Sequence, residues 1–185
     1  MLTDREKKLA WIAGGIAVAA LLFRGASSGQ WLPKPRGRQG VKDTYGDFSY
    51  TEGDGGDIHP DPAWSQNNIT DVELHTGQTV RFHTLVAAEL RQLYQAACEA
   101  GGWTPKGRPQ TYVPRHINHD ASKPLSFHSW GIALDLDPTD NPRQGQGTVE
   151  LHPAFIKVFE DAGWTWGGRW KGASRDPMHF EALKE

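Results

Sequence analysis

The first pattern along the 185-residue chain is an uninterrupted apolar run over residues 9–23, which follows several basic residues. A run of this length lies between the core of a signal peptide and a transmembrane helix. Because basic residues precede it, we expect a cytoplasmic N-terminus and an exported chain. Residues 1–24 are therefore interpreted as an inner-membrane anchor. A cleaved signal segment and a buried helix are the alternatives.

The next segment, residues 25–62, is rich in glycine, proline, serine and charged residues, and its apolar residues are not clustered. Such a composition cannot bury enough surface to offset the entropy lost on ordering. We therefore predict a linker or a loosely wrapped arm. Aromatic residues such as Tyr45 and Phe48 leave open whether parts of it dock on the domain.

Residues 63–185 carry the patterns of a folded domain, and two of these patterns are helical. Apolar residues recur at helical spacing from residue 82 to residue 97, and glycines at 101–102 end the pattern. A second helix is predicted to begin at Pro153 and to stop at Gly163.

Strand patterns lie between and after these helices. Residues 72–74 are extended and lead into a turn at 76–78, while alternating polarity predicts strands at 132–136 and 178–180. Helices and short strands in this order predict an α+β domain, with flanking helices around a small antiparallel sheet.

Composition and charge exclude several classes of function. A formal net charge of -2 gives no overall attraction to nucleic acid, so no nucleic-acid partner is expected. The single cysteine, Cys98, excludes an internal disulfide and a multi-cysteine metal site. Its apolar helical neighbours predict a small buried side chain. Nothing in the sequence fixes an oligomeric state.

Histidines and carboxylates are then the remaining ligands for a zinc site, which in an enzyme leaves one position for water. In the strand at 132–136, Asp135 shares a face with the small residue Ala133. His128 precedes the bend at Gly131, so the chain can fold it back toward Asp135. This stretch by itself occurs by chance in many proteins.

A second stretch lies near the C-terminus. In a strand, Met178 and Phe180 share the core face, so His179 projects to the opposite side. Pro177 keeps the backbone of Asp176 out of the helical region, so this carboxylate can approach the same point. A carboxylate beside a metal, but not bound to it, is what a general base for hydrolysis requires.

The two stretches together resemble a known family. The pattern Ser-x-His-x-x-Gly-x-Ala-x-Asp at 126–135 and the pattern Asp-x-Met-His-Phe-Glu at 176–181 are similar to motifs of the zinc D-alanyl-D-alanine carboxypeptidase and L-alanyl-D-glutamate endopeptidase family. That family includes many phage endolysins. The stretch Gly-Trp-Thr-Trp-Gly-Gly at 163–168 also resembles a family motif, and the resemblance extends over residues 80–181.

The resemblance implies a Zn²⁺ ion held by His128, Asp135 and His179, with Asp176 as the catalytic base. It also implies that Arg115 binds the carbonyl or carboxylate of the substrate.

The implied substrates are the stem peptides of peptidoglycan. Cleavage of the L-alanyl-D-glutamate bond is the first expectation, and release of terminal D-alanine is the second. We expect the domain in the periplasm or outside the cell, held at the inner membrane through residues 9–23, or else secreted or part of a phage particle. The alternative function is a non-catalytic, zinc-stabilised module that binds the wall or belongs to a virion.

Other residues near the motifs keep two interpretations. Trp164, Trp166 and Trp170 either line a substrate groove or pack in the core. Ser126 either contacts substrate or stabilises a turn. His116 and His119 could touch substrate, but exposed loop positions are favoured, and Asp137 is predicted to lie in a turn rather than in a second metal site.

Overall fold

A computed structural model describes residues 31–143 and 149–184. The predicted membrane segment, residues 9–23, lies outside these ranges. Within them, no helix combines the length and the apolar character needed to cross a membrane. The described part of the chain is an α+β fold with four α-helices and small antiparallel sheets, in agreement with the predicted fold class.

The helices are α1 (Gly37–Tyr45), α2 (Pro62–Asn68), α3 (Thr84–Gly101) and α4 (Pro153–Asp161). The strands are β1 (Tyr50–Glu52), β2 (Ile58–Pro60), β3 (Ile69–Glu73), β4 (Thr79–His83), β5 (Ala133–Asp135), β6 (Thr165–Trp166) and β7 (His179–Glu181). β1 pairs with β2 and β3 pairs with β4, each antiparallel. The third sheet has the order β5-β7-β6, also antiparallel. Its central strand is therefore the last one in the chain.

The long helix α3 starts two residues later than the apolar spacing predicts. Phe82 lies in β4, where it shares the core face with Val80, and both are fully buried. His83 ends the strand and caps the helix, because its Nδ1 accepts a hydrogen bond from Leu85 N. The helix ends at Gly102, whose φ of 54° is the left-handed conformation that glycine adopts without strain.

Aromatic residues of α4 join α3 to the central strand β7. Phe155 and Phe159 are fully buried, and each packs against Phe180 with ring centroids 6.1 and 5.0 Å apart. Tyr94 of α3 packs edge-on against Phe155. Burying one side chain of this size stabilises the fold by about 1.5 to 3 kcal/mol, so this cluster anchors β7 firmly. Cys98 is buried, as predicted.

Described parts of the arm, residues 25–62, dock on the domain. Val41 and Tyr45 of α1 are buried in the main core. The Tyr45 hydroxyl donates to Ala182 O, and Lys184 N donates to Pro35 O. The arm therefore lies against the end of β7. The division of the chain at residue 62 stays a prediction.

A buried ion pair fixes the start of the arm. Lys34 Nζ lies 2.7 Å from Glu89 Oε2 in α3, and the two side chains are 4% and 2% exposed. Trp164 Nε1 donates to the other oxygen of Glu89 at 2.9 Å. Both oxygens of a buried carboxylate are thus satisfied, which its burial requires.

We predict that Glu89→Ala destabilises the protein by about 3 to 5 kcal/mol, because Lys34 is left as a buried charge without its carboxylate. Urea unfolding followed by circular dichroism measures the change. Glu99→Ala, on the exposed face of the same helix, is the matched control and should change stability little. Equal losses in the two variants would contradict a structural role for the ion pair.

Candidate metal centre

The pairing of β5 with β7 brings two of the predicted ligands together. Asp135 and His179 are direct cross-strand partners in this antiparallel pair. On the opposite face, Leu134 pairs with Phe180, and both side chains are fully buried. The apolar face therefore sets the register that places the two polar side chains side by side.

His128 reaches the same point from a short 3₁₀ turn, Phe127–Trp130. Ser126 caps this turn, since its Oγ accepts from His128 N, which supports its turn-stabilising interpretation. Gly131 then reverses the chain with a φ of 63°. A side chain at this φ would be strained, and its Cβ would also lie 3.1 Å from the backbone nitrogen of His83, so the bend favours glycine.

The three side chains form a compact cluster of possible ligands. His128 Nε2 lies 3.3 Å from His179 Nδ1 and 3.2 Å from Asp135 Oδ2, and His179 Nδ1 lies 2.8 Å from Asp135 Oδ1. Ligand atoms of a tetrahedral zinc ion lie about 3.3 Å apart, given the usual bond lengths. Two imidazoles and one carboxylate at these separations fit zinc.

The far side of each imidazole is also held. His128 Nδ1 donates to Thr111 O at 2.6 Å, and His179 Nε2 donates to Glu181 Oε2 at 3.0 Å. These bonds orient the rings and leave His128 Nε2 and His179 Nδ1 to face the centre. Neither acceptor was predicted from the sequence. Glu181 was visible in the C-terminal motif, whereas a backbone carbonyl such as that of Thr111 leaves no sequence signal.

Close packing of opposite charges shifts the pKa values of two ligands. Burial acts to raise the pKa of Asp135, but His128 and His179 outweigh it and hold this pKa far below its usual range. Burial acts to lower the pKa of His179, but hydrogen bonds to Asp135 and Glu181 raise it to about 10. His179 must give up this proton to bind a metal.

Asp176 lies beside the cluster rather than in it. Burial raises its pKa above the usual range. Its Oδ1 is buried without a hydrogen-bond partner among the described residues, and Arg143 Nε lies 3.9 Å from its Oδ2. Asp176 N donates a hydrogen bond to Gly167 O. A Cβ atom on Gly167 would lie 2.6 Å from Asp176 O. The glycine thus allows the loop to approach the site closely.

Arg115 also faces the centre. Burial lowers the pKa of its guanidinium, while the charges of Asp135 and Asp176 act in the opposite direction. Its backbone is fixed by Ser129, whose Oγ accepts from Arg115 N and donates to Arg115 O. The structure therefore brings all five predicted site residues to one place.

A cleft of about 480 Å³ opens at this place, lined by the five site residues and by others that include Arg143 and Trp170. In the described ranges, five buried polar side-chain atoms have no hydrogen-bond partner, and three of these belong to residues that line the cleft. They are Asp176 Oδ1, Arg143 Nε and Trp170 Nε1. Polar atoms left in this way at a cleft point to a ligand that would satisfy them.

The tryptophans divide between the two interpretations. Trp164 and Trp166 are 3% and 8% exposed and pack in the core. Trp170 lines the cleft, with its ring centroid 5.5 Å from that of His179. Arg143, which follows Asp135 by eight residues, was not predicted from the sequence as a site residue.

The expectations about three other polar residues have different outcomes. His116 is 5% exposed and contacts Glu52 Oε2 at 3.1 Å, so its predicted exposure is wrong. His119 is exposed, as expected, and pairs with Asp57. Asp137 lies in a turn, as predicted, where its carboxylate accepts from two backbone N–H groups.

Comparison with known proteins adds one match. Residues 119–182 match a family described as D-alanyl-D-alanine carboxypeptidase. No curated protein and no solved structure matches the chain. The matched segment contains both motifs of the centre, from His128 to His179. Over this segment the chain is therefore similar to the D-alanyl-D-alanine carboxypeptidase family.

Proposed function

We propose that this protein is a zinc-dependent peptidase that hydrolyses the stem peptides of peptidoglycan. The observation that carries the proposal is the cluster of His128, Asp135 and His179 with the carboxylate of Asp176 beside it, whose Oδ1 has no hydrogen-bond partner among the described residues. A structural zinc site has four protein ligands and needs no neighbouring base. Three ligands and an adjacent carboxylate are instead the composition of a hydrolytic centre.

When bound, a zinc ion supplies Lewis acidity to this centre and lowers the pKa of the water it holds toward neutrality. Asp176 accepts the proton of the attacking water, and its raised pKa makes it a stronger base than an exposed aspartate. The protonated Asp176 then donates to the departing amine. Arg115 stabilises the negative charge that develops on the carbonyl oxygen.

The target bond that we propose first is the one between L-alanine and D-glutamate, and release of terminal D-alanine is second. The family described for residues 119–182 supports a wall peptide as substrate. We also propose that residues 9–23 hold the protein at the inner membrane with the domain outside the cytoplasm. A secreted form and a phage-particle component are the alternatives.

Each chain should bind one zinc ion, and removal of the ion should stop cleavage. Metal content is measured by mass spectrometry on the full chain in detergent, before and after chelation. Because His179 supplies one of three ligands, His179→Ala should lose the ion, whereas His75→Ala, at a histidine outside the cluster, should keep it. Full cleavage by zinc-free protein would refute the metal mechanism.

Asp176→Asn should lower kcat about 10²- to 10⁴-fold while zinc content and folding stay unchanged, because only the proton acceptor is removed. Fragments released from defined peptidoglycan are identified by mass spectrometry, which also reveals the bond cut. Asp161→Asn, an exposed position at the end of α4, is the control and should retain full activity. Unchanged function in Asp176→Asn would favour the non-catalytic wall-binding or virion module instead.

A further inference from the structure

The cleft beside the metal centre carries more positive than negative side chains. Three carboxylates line it, those of Asp135, Asp176 and Glu181. Five cationic residues line it as well, and these are Arg36, Arg38, Arg115, Arg143 and Lys184. A concave surface with this surplus concentrates anionic ligands, even before a metal cation adds its own charge. The cleft is therefore suited to a peptide with carboxylates.

The cations fall into two groups with different neighbours. Arg115 and Arg143 belong to the catalytic group, because each interacts with Asp176. Two carboxylates, Asp135 and Asp176, already face this group. Most of its charge is thus balanced within the protein.

The second group consists of Arg36, Arg38 and Lys184, from the arm and the end of the chain. The backbones of Arg36 and Lys184 pair in a parallel β-bridge, and Lys184 N donates a hydrogen bond to Pro35 O. Backbone pairing thus holds the two segments of this group together. The carboxylate that acts on Arg38 is Glu181, which also accepts a hydrogen bond from His179. This group lies outside the segment that matches the peptidase family.

Arg38 is held in a fixed position before any ligand arrives. Its Nη1 donates to Leu125 O at 2.5 Å, and its guanidinium lies 4.9 Å from the ring centroid of Phe127. A guanidinium has five N–H donors, so this bond leaves others for a carboxylate. Fixing the side chain in advance lowers the entropy lost on binding.

We propose that Arg38 and Lys184 form a second anion subsite, which binds a carboxylate of the substrate next to the peptide bond that is cleaved. This inference rests on the proposed function. A glutamate residue joined to its neighbour through one carboxyl group keeps the other one free. The subsite recognises that free carboxylate, so the arm takes part in substrate selection.

The test uses the full chain and two synthetic stem peptides that differ only in this group, D-glutamate in one and the carboxamide D-isoglutamine in the other. Because the amide loses a charge-assisted hydrogen bond, wild-type protein should cleave the acid with a kcat/KM about tenfold or more higher. Arg38→Gln should reduce the ratio to within about twofold of one, and Lys184→Gln should reduce it in part. A general loss of folding cancels in this ratio.

Arg91→Gln is the matched control, at an exposed arginine of α3 that does not line the cleft, and it should keep the wild-type ratio. Affinities for both peptides are also measured by calorimetry in the Asp176→Asn background. Preferential binding of the acid that needs Arg38, without cleavage by wild-type protein, would sink the proposed function but not the subsite. Cleavage or binding of both peptides alike, or a ratio unchanged in Arg38→Gln, would overturn the subsite.

Discussion

The candidate centre depends on the register in which β5 pairs with β7. In this register Asp135 faces His179 across the two strands, and Leu134 faces Phe180 on the other side. Since successive residues of a strand point to opposite faces, a slip by one residue would send the polar pair into the core. Burial of the two apolar side chains opposes that slip. The hydrophobic effect, which has no chemical specificity, therefore fixes the distance between two possible metal ligands.

Burying several ionisable groups at one point is costly, and the structure offsets the cost by pairing them. Asp135 contacts both imidazoles, while Glu181 and the carbonyl of Thr111 accept from their far sides. Such a network is stable only when almost every member is satisfied. Among the described residues, the buried polar atoms at the cleft without a hydrogen-bond partner are Asp176 Oδ1, Arg143 Nε and Trp170 Nε1. The atoms left without such a partner therefore belong to side chains that line the cleft.

The arm shows that specific contacts can hold a segment of polar composition on a domain. Tyr45 is buried and bonds to Ala182 O, and Lys34 pairs with Glu89 inside the protein. Composition is an average over many residues, so it cannot reveal that particular side chains of the arm pack against the domain. Docking of the arm also places Arg38 in the lining of the cleft, beside the candidate metal ligands. The arm lies outside residues 119–182, which match the peptidase family.

The sequence by itself determined α3, α4, β5 and β7, because the spacing of apolar residues and the glycine and proline positions act over short distances. It did not reveal α1, β1 and β2, which lie in the segment predicted as a linker or arm. It also singled out His128, Asp135, His179 and Asp176, because their two stretches together resemble the motifs of a known family, and strand alternation is consistent with their meeting. Only the tertiary structure showed that these side chains lie together. It also showed which groups accept hydrogen bonds from the imidazoles, where Arg143 lies and how the arm docks. These features join residues that are far apart in the chain. Only the packing of helices against the sheet decides which of them become neighbours.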